Sequence, residues 1–281
     1  MIYMKAKTEQ KDYFEVLEYY LQMIRKLLLN RYDYVGKAKA SSNPLMFTQG
    51  GAYGGNLKPN DNIASILKSW TASFGITALN ELQVLHNGKR LFEDNSFALE
   101  TMKYINERVD VFKKEDDRLY AIYNTPAENL CGVQVRQFRE KYGVIKGVSD
   151  KDYFTNSNHL WVGEHISPFE KQDKEIELFK LSTGGHIGYV RISNPDNFLG
   201  LKNTILRGLE LGFYQGVNFN ACYCEDCGKT GINWGFNCPH CNSENIEEQN
   251  RISGYLGFSR KKGDRTINDA KYAETKDRVS M

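Results

Sequence analysis

The sequence predicts an α/β fold that carries a small four-cysteine module near its C-terminus. Short strand-like runs alternate with segments of helical periodicity, and each run ends in a glycine-rich or polar loop. Two CxxC pairs, Cys224 with Cys227 and Cys238 with Cys241, stand ten residues apart. Four thiolates at that spacing can surround one zinc ion tetrahedrally, each pair approaching from a tight turn. At 281 residues, 41% hydrophobic and 26% charged, the composition is that of an ordinary globular chain. A chain of that length buries roughly 75% of its unfolded surface. A net charge of only +2 gives no basis for holding nucleic acid or a membrane by bulk electrostatics. No apolar run approaches the ~20 residues of a membrane span, and the N-terminus lacks a signal-peptide core. Cysteines spaced for metal point to a reducing compartment, so the expected location is cytoplasmic.

The clearest helix covers residues 11–31, where Phe14, Leu17, Leu21, Ile24 and Leu28 form an apolar stripe widened by Tyr13, Tyr20 and Leu27. Leu45-Met46-Phe47 reads as a short strand ending in the glycine cluster of residues 49–55, which lacks the lysine-serine ending of a phosphate loop. A second strand–helix unit spans residues 73–81, with Glu81 expected as a solvated carboxylate, and helical spacing returns over 97–114. Residues 119–123 form a buried strand. Thr125, Pro126 and Glu128 then match a capping box with a first-turn proline. A helix start after a strand offers free N–H groups that could hold a phosphate, beside the plainer reading of a well-capped helix, which the spacing alone favours. Cys131 reads as a small buried thiol. The dense polar run 150–159 is either a self-satisfied turn or a cavity wall, with Asn156, Ser157 and His159 the candidates. Pro168-Phe169 opens a charged loop, Ser182–Tyr189 a turn entering a strand, and residues 197–212 the last amphipathic helix.

Within the module, Cys222 and His240 remain alternative ligands to the four paired cysteines, because a CxC bite or an imidazole can substitute. A closed four-thiolate site leaves no open position for substrate, so it clamps rather than catalyses. Past the second pair and a polar spacer, the chain reads Arg251-Ile252-Ser253-Gly254-Tyr255-Leu256-Gly257, then a tail running Ala270-Lys271 to Glu274-Thr275-Lys276-Asp277-Arg278-Val279.

That ending resembles the C-terminus of the anaerobic (class III) ribonucleoside-triphosphate reductases. The blocks Thr125-Pro126-Ala127-Glu128-Asn129-Leu130-Cys131 and Gly147-Val148-Ser149-Asp150-Lys151-Asp152-Tyr153-Phe154-Thr155-Asn156-Ser157-Asn158-His159-Leu160 are similar to further signatures of that family. The block around Gly75 and Glu81 departs from its counterpart at Phe74 and Thr77-Ala78. The resemblance implies the second half of a ten-stranded α/β barrel over residues 1–212, with Thr125, Ala127, Glu128 and Asn129 on its substrate side, a zinc module over 213–248, and a glycyl-radical loop and tail over 249–281. It implies that Gly254 carries the radical, installed by an activase that uses S-adenosylmethionine and an iron–sulfur cluster. Ribonucleoside triphosphates would then lose their 2′-hydroxyl, with formate as reductant. The cysteine that accepts the radical belongs to a block with no counterpart here, so the resemblance implies a second polypeptide supplying the N-terminal half. The alternative is a non-catalytic zinc-bearing module that carries or replaces a radical domain on a partner enzyme.

Overall fold

A computed structural model describes residues 1–51, 56–125, 127–252, 254–261 and 265–280. The chain divides into two units, one formed by Met1–Phe74 with Glu100–Tyr123, the other by Gly75–Leu99 with Asn124–Met281.

In the first unit, α1 (Ile2–Glu9) leads into the long α2 (Tyr13–Gly36), whose start is fixed by the Asp12 carboxylate accepting from the N–H groups of Phe14 and Glu15. Helix α2 runs further than its predicted limit of residue 31. Its apolar stripe is also wider than the surface it covers: Leu17 and Leu21 are buried, whereas Ile24 and Leu27 face solvent. A small core joins Ala40, Phe47, Ile63 and Leu67 with Tyr32, Val35 and Trp70. The expected strand at residues 45–47 is instead one helical turn, α3 (Pro44–Phe47), because Asn43 caps it through a 3.2 Å bond from the Met46 N–H and proline occupies the first turn. The next loop contains Ala52–Gly55, which lie outside the described residues. Strands β1 (Thr71–Gly75) and β2 (Leu119–Tyr123) pair, and Phe74, Phe112 and Tyr120 pack together beneath them.

The second unit holds α4 (Leu79–Asn87), the start of α5 (Ser96–Asp116), α6 (Leu130–Tyr142) and α7 (Pro168–Lys180). Residues 168–180 are helix rather than the expected loop. Ser167 and Glu170 form a reciprocal capping box there, with Pro168 in the first turn. Strands β3 (Ile187–Arg191) and β4 (Tyr214–Asn218) are parallel, in register from Ile187 opposite Tyr214 to Arg191 opposite Asn218, and α8 (Phe198–Glu210) connects them. This is a βαβ unit, the building block of an α/β sheet.

Beyond it lies a four-stranded antiparallel sheet of order β6-β5-β7-β8, made of β5 (Ala221–Cys224), β6 (Thr230–Ile232), β7 (Ile246–Arg251) and β8 (Leu256–Arg260). Strand β7 crosses the junction at residues 248–249, so the cysteine module and the loop bearing Gly254 share one sheet. The tail forms α9 (Asp269–Asp277), capped by Asn268.

Candidate metal centre and glycine loop

The two CxxC pairs fold as near-identical knuckles. The Gly228 N–H donates to the Cys224 carbonyl at 2.9 Å, and the Asn242 N–H to the Cys238 carbonyl at 2.8 Å. Both turn residues adopt left-handed backbone, with φ of 69° and 59°, which glycine and asparagine tolerate best. The knuckles bring the sulfurs of Cys224, Cys227, Cys238 and Cys241 within 4.8 Å of one another. The Cys224–Cys241 and Cys227–Cys238 sulfur separations are both 3.6 Å. A tetrahedral zinc–thiolate centre with bonds of about 2.3 Å needs sulfur–sulfur edges of about 3.8 Å, so the donor set fits zinc. Despite desolvation, the backbone N–H groups of Cys227 and Asp226 hold the Cys224 thiol down to about 7, closer to the ligating thiolate. Neither alternative ligand joins the cluster: the Cys222 thiol turns to the Asn220 carbonyl at 3.8 Å, and His240 contributes only its backbone N–H, to Cys238 Sγ at 3.4 Å.

Gly254 sits in the exposed connection between β7 and β8, where the Ile252 N–H donates to the Tyr255 carbonyl at 2.8 Å. Its own N–H donates to Glu128 Oε1 at 2.7 Å, a contact between residues 126 positions apart. The capping box expected at Thr125–Glu128 does not form. Helix α6 begins later, with Asn129 at its cap position and no side-chain cap bond. Ala127 adopts φ 45°, the Thr125 carbonyl accepts from the Ser157 hydroxyl, and Glu128 is drawn to the glycine loop instead of its own helix. Pro126 and Ser253 lie outside the described residues. Asn129 accepts from the Asn268 side-chain amide at 2.7 Å, tying the same segment to the start of α9.

The tail grips the loop from the other side. Arg278 donates to the carbonyls of Arg251 and Ile252 at 3.0 and 3.1 Å and to Glu274 at 2.8 Å. Lys271, wholly buried, donates to Glu274 at 2.6 Å and to Asn156 Oδ1 at 2.8 Å. Tyr153 donates to Asp277 at 2.7 Å. Helix α9 approaches α6 so closely that a Cβ on Gly132 would meet the Ala270 methyl at 2.6 Å. Burial alone would push the Glu274 carboxyl up, but Lys271 and Arg278 prevail and hold it at about 2. With its folded value depressed, Glu274 contributes stability at pH above the ordinary carboxylate value of about 4.3, and that contribution is lost as pH falls toward 2. Lys271→Met leaves the buried carboxylate with Arg278 as its one cation among the described residues and should cost about 3 kcal/mol. Hydrogen exchange over α9 should rise steeply in the variant at neutral pH, and in the unsubstituted chain below about pH 4. Protection unchanged in both would contradict the clamp.

The 150–159 run makes bonds to other elements, and Tyr153, Thr155, Asn156 and His159 line one cavity. The Thr155 N–H and hydroxyl both donate to Glu81, at 3.2 and 2.7 Å. Glu81 is therefore buried rather than solvated, and burial pushes its carboxyl above the usual range. The carbonyls of Thr155 and Ser157 accept from the first N–H groups of α4. Asn156 Oδ1 accepts from Cys131 Sγ at 3.2 Å as well as from Lys271. Cys131 is buried against Tyr153 and Ala270, and that burial pushes its thiol up to about 12, as expected of an inert core cysteine. His159 lies 3.5 Å from Glu175, which also pairs with Lys171.

The sequence profile described as "Anaerobic ribonucleoside-triphosphate reductase" matches residues 1–281. The chain belongs to the anaerobic ribonucleoside-triphosphate reductase family. It is 32% identical over 292 residues to the anaerobic ribonucleoside-triphosphate reductase of Haemophilus influenzae, covering 99% of this chain and 41% of that protein. To the reductase of Enterobacteria phage T4 it is 31% identical, covering 93% of this chain and 44% of the phage protein. Its fold superimposes on a solved anaerobic ribonucleotide reductase with a TM-score of 0.75 at 16% identity, over all of this chain and 43% of that one. The enzyme from Thermotoga maritima with glycerol in the active site gives 0.68 at 18% identity, over 92% of this chain. The chain thus spans about two fifths of the curated relatives it matches.

For a reductase-family chain, sequence reasoning overlooked the polar underside of α9 and the buried Glu81. Lys271, Glu274 and Arg278 recur at helical spacing, and that charge pattern was the available signal. Asn156, His159, Tyr189, Arg191 and Glu274 line an enclosed cavity of about 40 Å³. That is room for a few waters and far below the 300 Å³ or so of a small-molecule site. No helix among the described residues is long and apolar enough to cross a membrane.

Proposed function

We propose that this chain is the radical-bearing C-terminal part of an anaerobic ribonucleoside-triphosphate reductase, converting ribonucleoside triphosphates to deoxyribonucleoside triphosphates with formate as reductant. The observation that carries the reading is the 2.7 Å bond from the Gly254 N–H to Glu128. It joins the glycine of one family signature to the carboxylate of another. In this reading residues 1–212 form the substrate side as the second half of a ten-stranded barrel, 213–248 the zinc module, and 249–281 the radical loop and tail.

Glycine suits the role because its α-hydrogen can be removed and the unpaired electron shared between the flanking amides, with no Cβ in the way. Glu128 fixes the amide plane of Gly254 and Arg278 fixes the carbonyls just before it, so the loop is oriented from both sides. Zinc bound by the four thiolates supplies no reaction step and braces the sheet from which the loop hangs. Thr125, Ala127 and Asn129, with Ser157 and His159, face the substrate in this account. Glu128 and Asn156 belong to the same substrate side and also hold the loop and the tail through their acceptors, as Asn129 does through Asn268. A radical-SAM activase installs the radical, and the remaining part of the reductase supplies the cysteine that receives it. The setting is the cytoplasm.

The test is an anaerobic assay of these 281 residues with activase, nucleoside triphosphates and formate. No turnover is expected without the remaining part of the reductase, and Cys131→Ala should leave the reconstituted rate unchanged within about twofold, since this buried thiol lies outside the transfer path. Turnover by the isolated chain that disappears in Cys131→Ala would overturn the assignment.

A further inference from the structure

The sequence signatures leave unused one group of cations beside the tail. The side chain of Arg191, at the end of β3, makes no hydrogen bond or ion pair among the described residues. It lines a cleft of about 340 Å³ together with Arg260, Lys276 and Arg278, between the cysteine-bearing sheet and α9. Burial, and then the charge of Arg278, push its guanidinium down to about 9.

The nearby carboxylates are too few to balance these cations. Glu274 is shared by Lys271 and Arg278. Glu248, which lines the cleft, accepts from the neutral side chains of Asn220, Asn250 and Ser259 and so sets one negative charge against four cations. Arg260 spends its N–H groups on the neutral carbonyls of Ile246, Gly235, Phe236 and Glu244, so its charge stays uncompensated. Lys276 is exposed and lies over the Tyr272 ring at 4.3 Å. Positive charge therefore exceeds negative around a cleft partly shielded from solvent, an arrangement that costs stability until an anion enters.

We propose that this cleft binds the phosphate group of a small phosphorylated molecule, with Arg191 providing the fork. A phosphate brings up to two negative charges, matching the excess better than a carboxylate does. A guanidinium receives phosphate oxygens in pairs. The volume also exceeds that of a bare small anion and falls in the range of small-molecule sites, about 300–1,000 Å³. The inference does not depend on radical chemistry at Gly254.

The test is calorimetric titration of the zinc-loaded full chain at fixed ionic strength with inorganic phosphate, pyrophosphate and ribose 5-phosphate, and with formate as the small-carboxylate control. Saturable binding of the phosphates is expected, at least about tenfold weaker in Arg191→Met and a few-fold weaker in Lys276→Gln. Without ligand, Arg191→Met should melt higher than the unsubstituted chain, because an uncompensated charge has gone, whereas a purely structural arginine would melt lower on removal. Absence of saturable phosphate binding, equal affinity in Arg191→Met, or tighter binding of formate than of phosphate would overturn the proposal. Should Arg191→Met fail to fold, unchanged affinity in Lys276→Gln overturns it by itself. Gly254→Ala should bind phosphate normally, so failure of the radical reading leaves this result standing.

Discussion

Gly254→Ala is expected to abolish oxygen-dependent cleavage of the backbone at residue 254 while leaving the fold intact. Gly254 is exposed, and its described polar contact is through the backbone N–H to Glu128. An alanine there retains that donor, so the loop keeps its tie to Glu128. The chemistry changes completely, because a Cβ opposes the planar, amide-stabilised radical and crowds the approach of a partner thiol. After anaerobic activation and exposure to air, intact-mass measurement should find the unsubstituted chain cut at the glycine and the variant whole. A cut that persists unchanged in Gly254→Ala would remove this residue from the mechanism.

Cys238→Ser is expected to produce the largest structural effect. Zinc binding by such knuckles is folding free energy, about 10–16 kcal/mol in isolated zinc-finger peptides. Strand β5 ends in Cys224 and pairs with β7, which pairs with β8. Loss of the metal therefore propagates through the sheet to the loop bearing Gly254. Proteolysis within residues 220–260 should quicken by more than about a hundredfold, while hydrogen-exchange protection in the first unit persists. Cys222→Ser makes the contrasting case: its sulfur stands outside the cluster, so full zinc content is expected. Stoichiometric zinc in Cys238→Ser, or its loss in Cys222→Ser, would contradict the ligand set.

Local chemistry was legible in the sequence and long-range chemistry was not. The two knuckles could be read because spacing and turn residues lie within a few positions of each ligand. The strand at 119–123, the strand–helix unit read over 73–81, and helices α2, α5 and α8 followed from local pattern for the same reason. Thr125–Glu128 misled because a capping box is a local pattern, and the carboxylate that completes it was claimed by an amide 126 positions away. The true box at Ser167 and Glu170 went unremarked because a charged helix looks like a charged loop when apolar spacing is the guide.

The tail helix defeats that guide altogether. The residues it buries are Ala270, Lys271 and Glu274, so hydrophobic periodicity predicts the wrong face. Glu81 was expected in solvent on the same logic and lies buried under Thr155. Buried ionic groups of this kind carry no signature in a single sequence beyond their spacing. Their partners lie on elements that only the fold brings together.

The central claim is that Gly254 bears the radical, and electron paramagnetic resonance of the anaerobically activated chain tests it most directly. The account predicts a doublet from the single remaining α-hydrogen, collapsing to a singlet when the protein is made with α-deuterated glycine. A signal that keeps its splitting after deuteration, or that survives in Gly254→Ala, would place the unpaired electron elsewhere and contradict the account.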